Sequence, residues 1–301
     1  MATILISGGS GLVGSALTPA LQREGHSVRW LSRTAGAMNG VRRHAWDIAR
    51  GTIDAEALDG VDHIIHLSGA GIADKRWTGP RMRELYLSRS GAARLLLKKA
   101  QETGARPRCF ISASGIGYYG AVTTGHVFKE TDPPGTDAIG RLTKDWEDAA
   151  DEWTSLCRVV KLRTPMVLAR DGGALKRLSA PFRLGLGAAL GTGRQWMPWV
   201  HIDDLVTTYA RAVGNERMNG AYNVVADDQP RNSDFMRAVA SALHRPFFLP
   251  NVPAFALRLA FGELSVILLE GSRASGERLV GTGTRFQHNT LASAMQGTLA
   301  G

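Results

Sequence analysis

The sequence predicts a doubly wound α/β fold, a parallel sheet covered by helices on both faces, with a smaller C-terminal lobe. Three observations carry that reading. Short apolar runs alternate with helical patterns through the first two-thirds of the chain, as expected of parallel strands joined by crossover helices. A glycine-rich turn, "SGGSGLVGS" at residues 7–15, follows the first run and opens the first helix. The chain's 301 residues, 44% hydrophobic and 21% charged, suffice for one large domain or for a domain with an appended lobe.

In order, "TILIS" is the first strand, and Val13, Leu17, Ala20, Leu21 and Glu24 then fall at helical spacing before Gly25. "SVRWLS", "VRRHAW" and "DHIIHLSG" read as the second, third and fourth strands. "MRELYLSRSGAARLLLKKAQETG" reads as one long helix closed by Gly104. "PRCFISAS" and "CRVVKLR" are the fifth and sixth strands, with the helix "LTKDWEDAADEW" between them. From about Thr164 the alternation loosens into "RLGLGAALGTGRQWMPWVHIDD", a Gly-rich stretch with two Trp that is too apolar for a solvated linker. A helix from Asp203, a strand "AYNVV", a helix from about Ser233 and helical stretches over 254–261 and 264–269 complete the chain. The expected division is a sheet domain over 1–164, continued by a strand near 221–225, and a substrate or capping lobe over 165–301.

The net charge is +9, and Arg supplies most of the 36 basic residues. They are scattered rather than striped, which excludes nucleic acid as the expected partner and leaves room for an anionic small ligand at a local patch. Cys109 and Cys157 lie in apolar strand-like runs and are expected to be inert buried thiols in a reducing cytoplasm. No leader is expected before "TILIS", and no apolar run approaches the ~18 residues of a membrane span. No membrane partner is therefore expected. The eight His and two Cys lack metal-ligand spacing, so no metal is expected either.

The glycines of the turn fit two spacings, Gly9-Gly11-Gly14 (GxGxxG) and Gly8-Gly11-Gly14 (GxxGxxG). In both, a tight turn without Cβ atoms lets backbone amides approach a pyrophosphate, and the helix N-terminus adds partial positive charge. Gly8, Gly9, Ser10 and Gly11, with Leu12, Val13 and Gly14 of the first helical turn, are the candidate contacts. The context of the motif, after a strand and before an amphipathic helix, is the one it requires. About 20 residues on, an NAD-selective site would carry Asp or Glu for the ribose hydroxyls. Here "WLSRT" offers Ser32 and Arg33, which favours NADP(H). On the same carboxyl edge, Leu67 and Ser68 can pass under the cofactor, while Gly69 and Gly71 permit close backbone approach. Asp47, just past the third strand, is placed either to reach the adenine or to cap a helix.

Taken together, "ISGGSGLVG", "LSR", "HLSGAGIADKRWT", "SASGIGYYG", "GRLTKDWE", "GGALKRL", "FRLGLGAALGTGRQWMPWVHIDDLV" and "HRPFFLPNVPAFALRLAFGE" resemble, in order, the epimerase-like atypical short-chain dehydrogenase/reductase family. The resemblance spans essentially the whole chain, with a family C-terminal segment of unassigned function at about 246–301. It implies an extended Rossmann fold with NADP(H) at the glycine loop. It adds Glu84 and Arg89, on the long helix, to the cofactor contacts Ser32, Arg33, Leu67 and Ser68.

Redox chemistry in this superfamily uses a phenol to exchange a proton with substrate, a Lys four residues later to depress the phenol's pKa, and a Ser to hold the substrate oxygen. Ser112 and Ser114, at the carboxyl end of the fifth strand, satisfy the last requirement. The Tyr–Lys pair is absent: Tyr86, Tyr118, Tyr119, Tyr209 and Tyr222 are followed four residues later by Ser90, Val122, Thr123, Val213 and Ala226. Two repairs are open. Tyr118 or Tyr119 supplies the phenol with Lys144 approaching through space, or both tyrosines pack the pocket and the site only binds. On the substrate side, Lys75, Arg76 and Trp77 of "IADKRW" and Arg194, Gln195, Trp196, Trp199 and His201 of "RQWMPWVHIDD" offer aromatic walls with cations, suited to a flat or anionic ligand. His201 is placed equally to orient Asp203 or Asp204 at a helix start. The expected function is an NADP(H)-dependent oxidoreductase or epimerase-like enzyme acting on a small, anionic or aromatic substrate. The alternative is a non-catalytic NADPH-binding or sensing protein.

Overall fold

The structure, a computed structural model, describes residues 1–170 and 172–299. The strands are β1 (Thr3–Ser7), β2 (Ser27–Ser32), β3 (Gly36–Met38), β4 (Val41–Asp47), β5 (Thr52–Ile53), β6 (His63–His66) and β7 (Cys109–Gly115). They continue with β8 (Val127–Phe128), β9 (Arg158–Thr164), β10 (Met166–Leu168), β11 (Trp199–His201), β12 (Gly220–Asn223) and β13 (Arg273–Ala274). The helices are α1 (Leu12–Arg23), α2 (Gly79–Tyr86), α3 (Ala92–Thr103), α4 (Ala138–Asp151), α5 (Gly173–Arg183) and α6 (Ile202–Gly214). After these come α7 (Asn232–Ala242), α8 (Ala254–Phe261), α9 (Val266–Leu269), α10 (Glu277–Val280) and α11 (Leu291–Leu299).

The main sheet runs β12-β9-β7-β6-β1-β2-β4-β3, with β5 paired to β4. The pairs β1–β2, β1–β6, β2–β4 and β6–β7 are parallel, whereas β3 and β5 add short antiparallel edges to β4. Winding reverses between β1 and β6, the position where open α/β sheets bind ligands. The register aligns the strand ends there. Ser7 lies opposite Leu31 and His66, and His66 opposite Ser112. Gly8, Ser32, Leu67 and Ala113 each follow one residue past that row.

The core of the sheet is what the apolar runs supply. Leu5, Ile64, Phe110 and Val159 from the strands pack with Leu96, Ala149, Ala150 and Trp153 from the helices, all buried. Phe110 stacks on Trp153 at 4.3 Å. Burial pushes the free thiols of Cys109 and Cys157 up to about 12 and about 11, so both are protonated and inert. Among the described residues, no helix is long and apolar enough to cross a membrane.

Two features differ from the sequence reading. The long helix expected over 82–104 is broken into α2 and α3 by a π-helical turn, Leu87–Gly91. Such a turn adds one residue to the helical repeat and is common at functional sites. Periodicity over "YLSRSGAA" does not show it. The two compact units also interleave beyond the single return to the sheet, near 221–225, that the sequence reading expected. One comprises Met1–Ser114, Leu142–Leu162 and Val206–Tyr222; the other comprises Gly115–Arg141, Arg163–Leu205 and Asn223–Gly301. The chain returns to the sheet late because β12 is needed beside β9. The second unit has its own core, in which Leu175 and Phe182 of α5, Trp199, Phe235 and Met295 are buried together.

A buried histidine ties β1, β6 and the π-helical turn. The carbonyl of Arg89 can only accept, so His66 Nε2–H donates to it (3.1 Å), Nδ1 accepts, and the Ser7 hydroxyl donates to Nδ1 at 2.8 Å. Burial pulls His66 from 6.5 down to about 4, and it is neutral in the fold. Between those values the unfolded chain holds the extra proton, so stability falls as pH drops through that window, by about 3 kcal/mol in all. Urea unfolding at a series of pH values should therefore show a steeper loss between pH 6.5 and 4 in the parent than in His66→Asn. Parallel profiles would remove His66 from this role.

Candidate cofactor and active site

The turn from β1 into α1 is built on close backbone approach. Gly8 has φ +77°, and a Cβ there would stand 2.9 Å from Leu67 C and Ser68 N. On Gly14 a Cβ would meet Gly8 O at 2.5 Å and Gly9 Cα at 2.6 Å, and on Gly9 it would run into the Trp30 ring. Trp30 is held as the floor by its indole N–H, which donates to Thr18 Oγ1 (2.9 Å), while that hydroxyl donates to Gly14 O (2.7 Å). Gly11 is different. It is exposed, its φ is −77°, and a Cβ would find only Gly8 O at 3.2 Å. The first turn of α1 has neither a side-chain cap nor an acidic residue. Its N-terminal amides and partial positive charge are left for an anion. Ser10 is exposed on this turn, beside Leu12 and Val13.

At the end of β2, the Ser32 hydroxyl donates to Thr34 O and Arg33 is exposed. Asp47 holds a turn, accepting from Ala49 N (2.9 Å) and Arg50 N (3.0 Å), and no helix follows it. Past β6, Ser68 Oγ lies 3.3 Å from Ser7 Oγ, and Gly69 lies against Arg89, where a Cβ would stand 3.0 Å from Cζ. Arg89 is buried on the π-helical turn, donating to Ala70 O (2.8 Å) and Leu85 O (3.2 Å) over the Trp146 ring. Burial lowers its pKa to about 10, which leaves it cationic at neutral pH, and its buried Nε has no protein partner among the described residues. Glu84 instead faces solvent. Its hydrogen bond with Arg81 (2.6 Å) holds the carboxyl below its ordinary range.

Ser114 is buried and donates to Glu147 Oε1 at 2.6 Å. Behind Glu147, Lys161 Nζ lies 3.6 Å away and also donates to Asp151 Oδ2 at 2.7 Å, on a carboxylate that reaches solvent. Lys144, on the same helix α4, is half-exposed and pairs with Asp148 at 2.5 Å. The α4 side chain that meets Ser114 is thus Glu147, which the sequence reading did not select. Its signal was present: Glu147 is a carboxylate in line with Ile139 and Thr143 on the buried face of an otherwise amphipathic helix.

Comparison with known proteins bears on this arrangement. Residues 4–225 match the NAD dependent epimerase/dehydratase family, and residues 252–297 match a domain of unknown function, DUF1731. The chain belongs to the NAD dependent epimerase/dehydratase family. An epimerase family protein of Mycobacterium bovis is 38% identical over 98% of this chain and 96% of its own length. The epimerase family protein SDR39U1 of Mus musculus is 34% identical over 99% of both chains. The crystal structure of human epimerase family protein SDR39U1 with NADPH superposes with a TM-score of 0.89, at 30% identity and 99% coverage of each chain.

The remaining candidates of this epimerase-family chain have varied placements. Trp77 is buried, and its indole N–H donates to Ile72 O (2.9 Å), which closes its own loop instead of forming an open wall. Lys75 and Arg76 are exposed on that loop. In the second unit, the guanidinium groups of Arg231 (3.3 Å) and Arg273 (4.4 Å) both lie over the Trp196 ring, and Arg194, two residues earlier, is exposed. His201 is buried, and its Nδ1 accepts from Asp203 N (3.3 Å), so it orients the start of α6. Its ring lies 3.7 Å from that of His288, and burial with that neighbour lowers its pKa. With Asp203 the two rings form a candidate metal cluster, ligand atoms within 4.8 Å, that ligand spacing in the sequence could not reveal. Both His201 nitrogens already have partners, the second being Thr298 Oγ1 at 3.3 Å.

The two adjacent phenols are unlike. The Tyr119 hydroxyl donates to Asn223 Oδ1 (2.8 Å) and accepts from Arg163 (2.9 Å), and burial pushes its pKa up to about 12. Tyr118 is half-buried with the Arg163 guanidinium 3.6 Å from its ring centre. Arg163, which the sequence reading did not select, is the cation the structure puts beside both phenols. Tyr119→Phe should cost about 1–3 kcal/mol, because two buried partners lose the hydroxyl between them. Tyr118→Phe keeps the ring under Arg163 and should stay within about 0.5 kcal/mol of the parent. Denaturant unfolding of the two variants checks this; equal losses would show that Tyr119 is not the structural phenol.

Proposed function

We propose that the chain binds NADP(H) at the β1–α1 turn and acts as an oxidoreductase or epimerase-like enzyme on a small substrate whose oxygen is held at Ser114. The observation that carries the reading is the buried Ser114–Glu147 hydrogen bond, two residues beyond the aligned Ser7–His66–Ser112 row. It supplies a proton-handling pair at the ligand edge of a chain that lacks the Tyr–Lys relay.

The residues fit the cofactor. Gly8 and Gly14 make a cradle that a Cβ would fill, the uncapped start of α1 suits a pyrophosphate, and Arg89 keeps a buried Nε without a partner among the described residues. Ser32 and Arg33, with no carboxylate at the end of β2, suit a 2′-phosphate. The NADPH in the human relative's structure supports the same choice. When bound, the nicotinamide supplies or accepts the hydride. Ser114 then takes the proton from a substrate hydroxyl, or returns it to a carbonyl, while its own proton passes to or from Glu147. Lys161 stabilises the Glu147 carboxylate, and Asp151 connects this pair to solvent. Arg33, Arg89 and the start of α1 orient the anionic ligand and do not react.

A second reading, a non-catalytic NADPH sensor, draws on Tyr119, whose hydroxyl is committed at both ends, and on the missing YxxxK. One series of measurements separates the two. NADPH should bind more tightly than NADH in fluorescence titrations, and Arg33→Asp should narrow or reverse that gap; equal affinities in the parent would sink the NADP(H) assignment. Gly11→Val should abolish NADPH binding with the melting temperature kept, whereas Gly14→Val should unfold the chain. On a panel of carbonyls and quinones, Glu147→Gln should slow NADPH oxidation roughly 100- to 10,000-fold without loosening NADPH. Tight NADPH binding with no panel member reduced by the parent would favour the sensor.

A further inference from the structure

The second unit carries a face that neither the cofactor nor the catalytic reading uses. Leu184, Leu186, Phe248, Phe255 and Leu259 are 78, 60, 74, 72 and 79% exposed. They come from two segments that are laced together. Leu190 pairs with Val252 in a parallel bridge, Gly191 N donates to Val252 O (2.9 Å), Val252 N donates to Ala189 O (2.8 Å), and Phe182 stacks on Phe247 at 6.3 Å. On α8, Phe255 and Leu259 are one turn apart on the exposed side, while Leu257 is buried. Large apolar side chains in this density on a water-facing surface mark an interaction site.

Charge says what kind. Residues 172–202 and 235–262 contain no Asp or Glu. They present Lys176, Arg183, Arg245 and Arg258, all exposed. Arg237, in the second segment, is paired with Asp234 just outside it. A second copy of the chain seated on this face would bring cations against cations, which disfavours self-association. Nucleic acid would meet the basic groups, but the aliphatic Leu184, Leu186 and Leu259 offer it nothing to stack on. An anionic bilayer surface satisfies both parts. The acyl boundary receives the apolar side chains, and the phosphate headgroups receive the Arg and Lys.

We propose that this face, the α5–Leu190 segment together with the Phe247–α8 segment, docks the protein peripherally on anionic phospholipid membranes. No span is involved. The lobe rests on the surface through side chains of two paired segments.

The test uses the full chain and sucrose-loaded vesicles of phosphatidylcholine, with or without an equal part of phosphatidylglycerol. The parent should sediment with the anionic vesicles, should stay in solution with pure phosphatidylcholine, and should be released by high salt. Each basic residue near the surface is worth roughly a fivefold gain in partitioning. Arg183→Glu with Arg258→Glu should therefore reduce binding by at least about 25-fold. Phe255→Gln with Leu259→Gln, which keeps good helix formers in α8, should reduce it at least roughly tenfold. If the apolar pair unfolds the lobe, the charge-reversal pair, at exposed positions, decides alone. Failure of the parent to bind anionic vesicles overturns the proposal. So does equal binding by parent and charge-reversal variant, or a dimer in light scattering that Phe255→Gln with Leu259→Gln breaks.

Discussion

The close approach of the β1–α1 turn to the end of β6 is the constraint on which the rest depends. With Gly8 within van der Waals contact of Leu67 and Ser68 backbone, and Gly14 within contact of Gly8 and Gly9, the helix begins where the sheet reverses its winding. That placement aims the start of α1 along the same edge as Arg33 and Ser114. The Ser7–His66–Arg89 brace then fixes the π-helical turn, which carries a buried guanidinium under Gly69. A structural histidine held neutral by burial thus sets the position of a cation.

Most elements long enough to show a period were legible. β1, β2, β4, β6, β7 and β9 appear as apolar runs, and α1, α4, α6 and α7 as helical patterns. The pieces that escaped are two- or three-residue strands such as β3, β5, β10 and β13, too short to alternate, the helix α5, whose helical pattern begins in a Gly pair, and the terminal helix α11. The return of the chain to the sheet was legible as the strand "AYNVV", but the other crossings between the units, at 114/115 and 141/142, were not, because the composition shifts only once along the chain. In the glycine turn, Gly8, Gly9 and Gly14 answer a steric demand of the fold, whereas Gly11 is exposed and meets only Gly8 O.

The chemistry was less legible. The sequence holds no Tyr followed four residues later by Lys. Helix α4 answers with a carboxylate: Glu147 meets Ser114, and its counter-charge, Lys161, comes from β9, fourteen residues later. A relation between a helix and a neighbouring strand has no fixed spacing, so only coordinates reveal it. The same holds for Arg163 beside Tyr118 and Tyr119, and for His201 beside His288. The exposure of Leu and Phe in "FRLGLG" and "AFALRLAF" was not legible either, because hydrophobicity does not say which face is covered.

The interleaved path of the chain has a consequence for its birth on the ribosome. The segments alternate between units at residues 114/115, 141/142, 162/163, 205/206 and 222/223. While the chain is emerging, β9 is an open edge until β12 arrives more than fifty residues later to pair with it. An unpaired edge bearing Val159, Val160 and Leu162 is a template for other chains during that interval. Elongation speed through residues 165–220 thereby sets how long the nascent sheet is exposed.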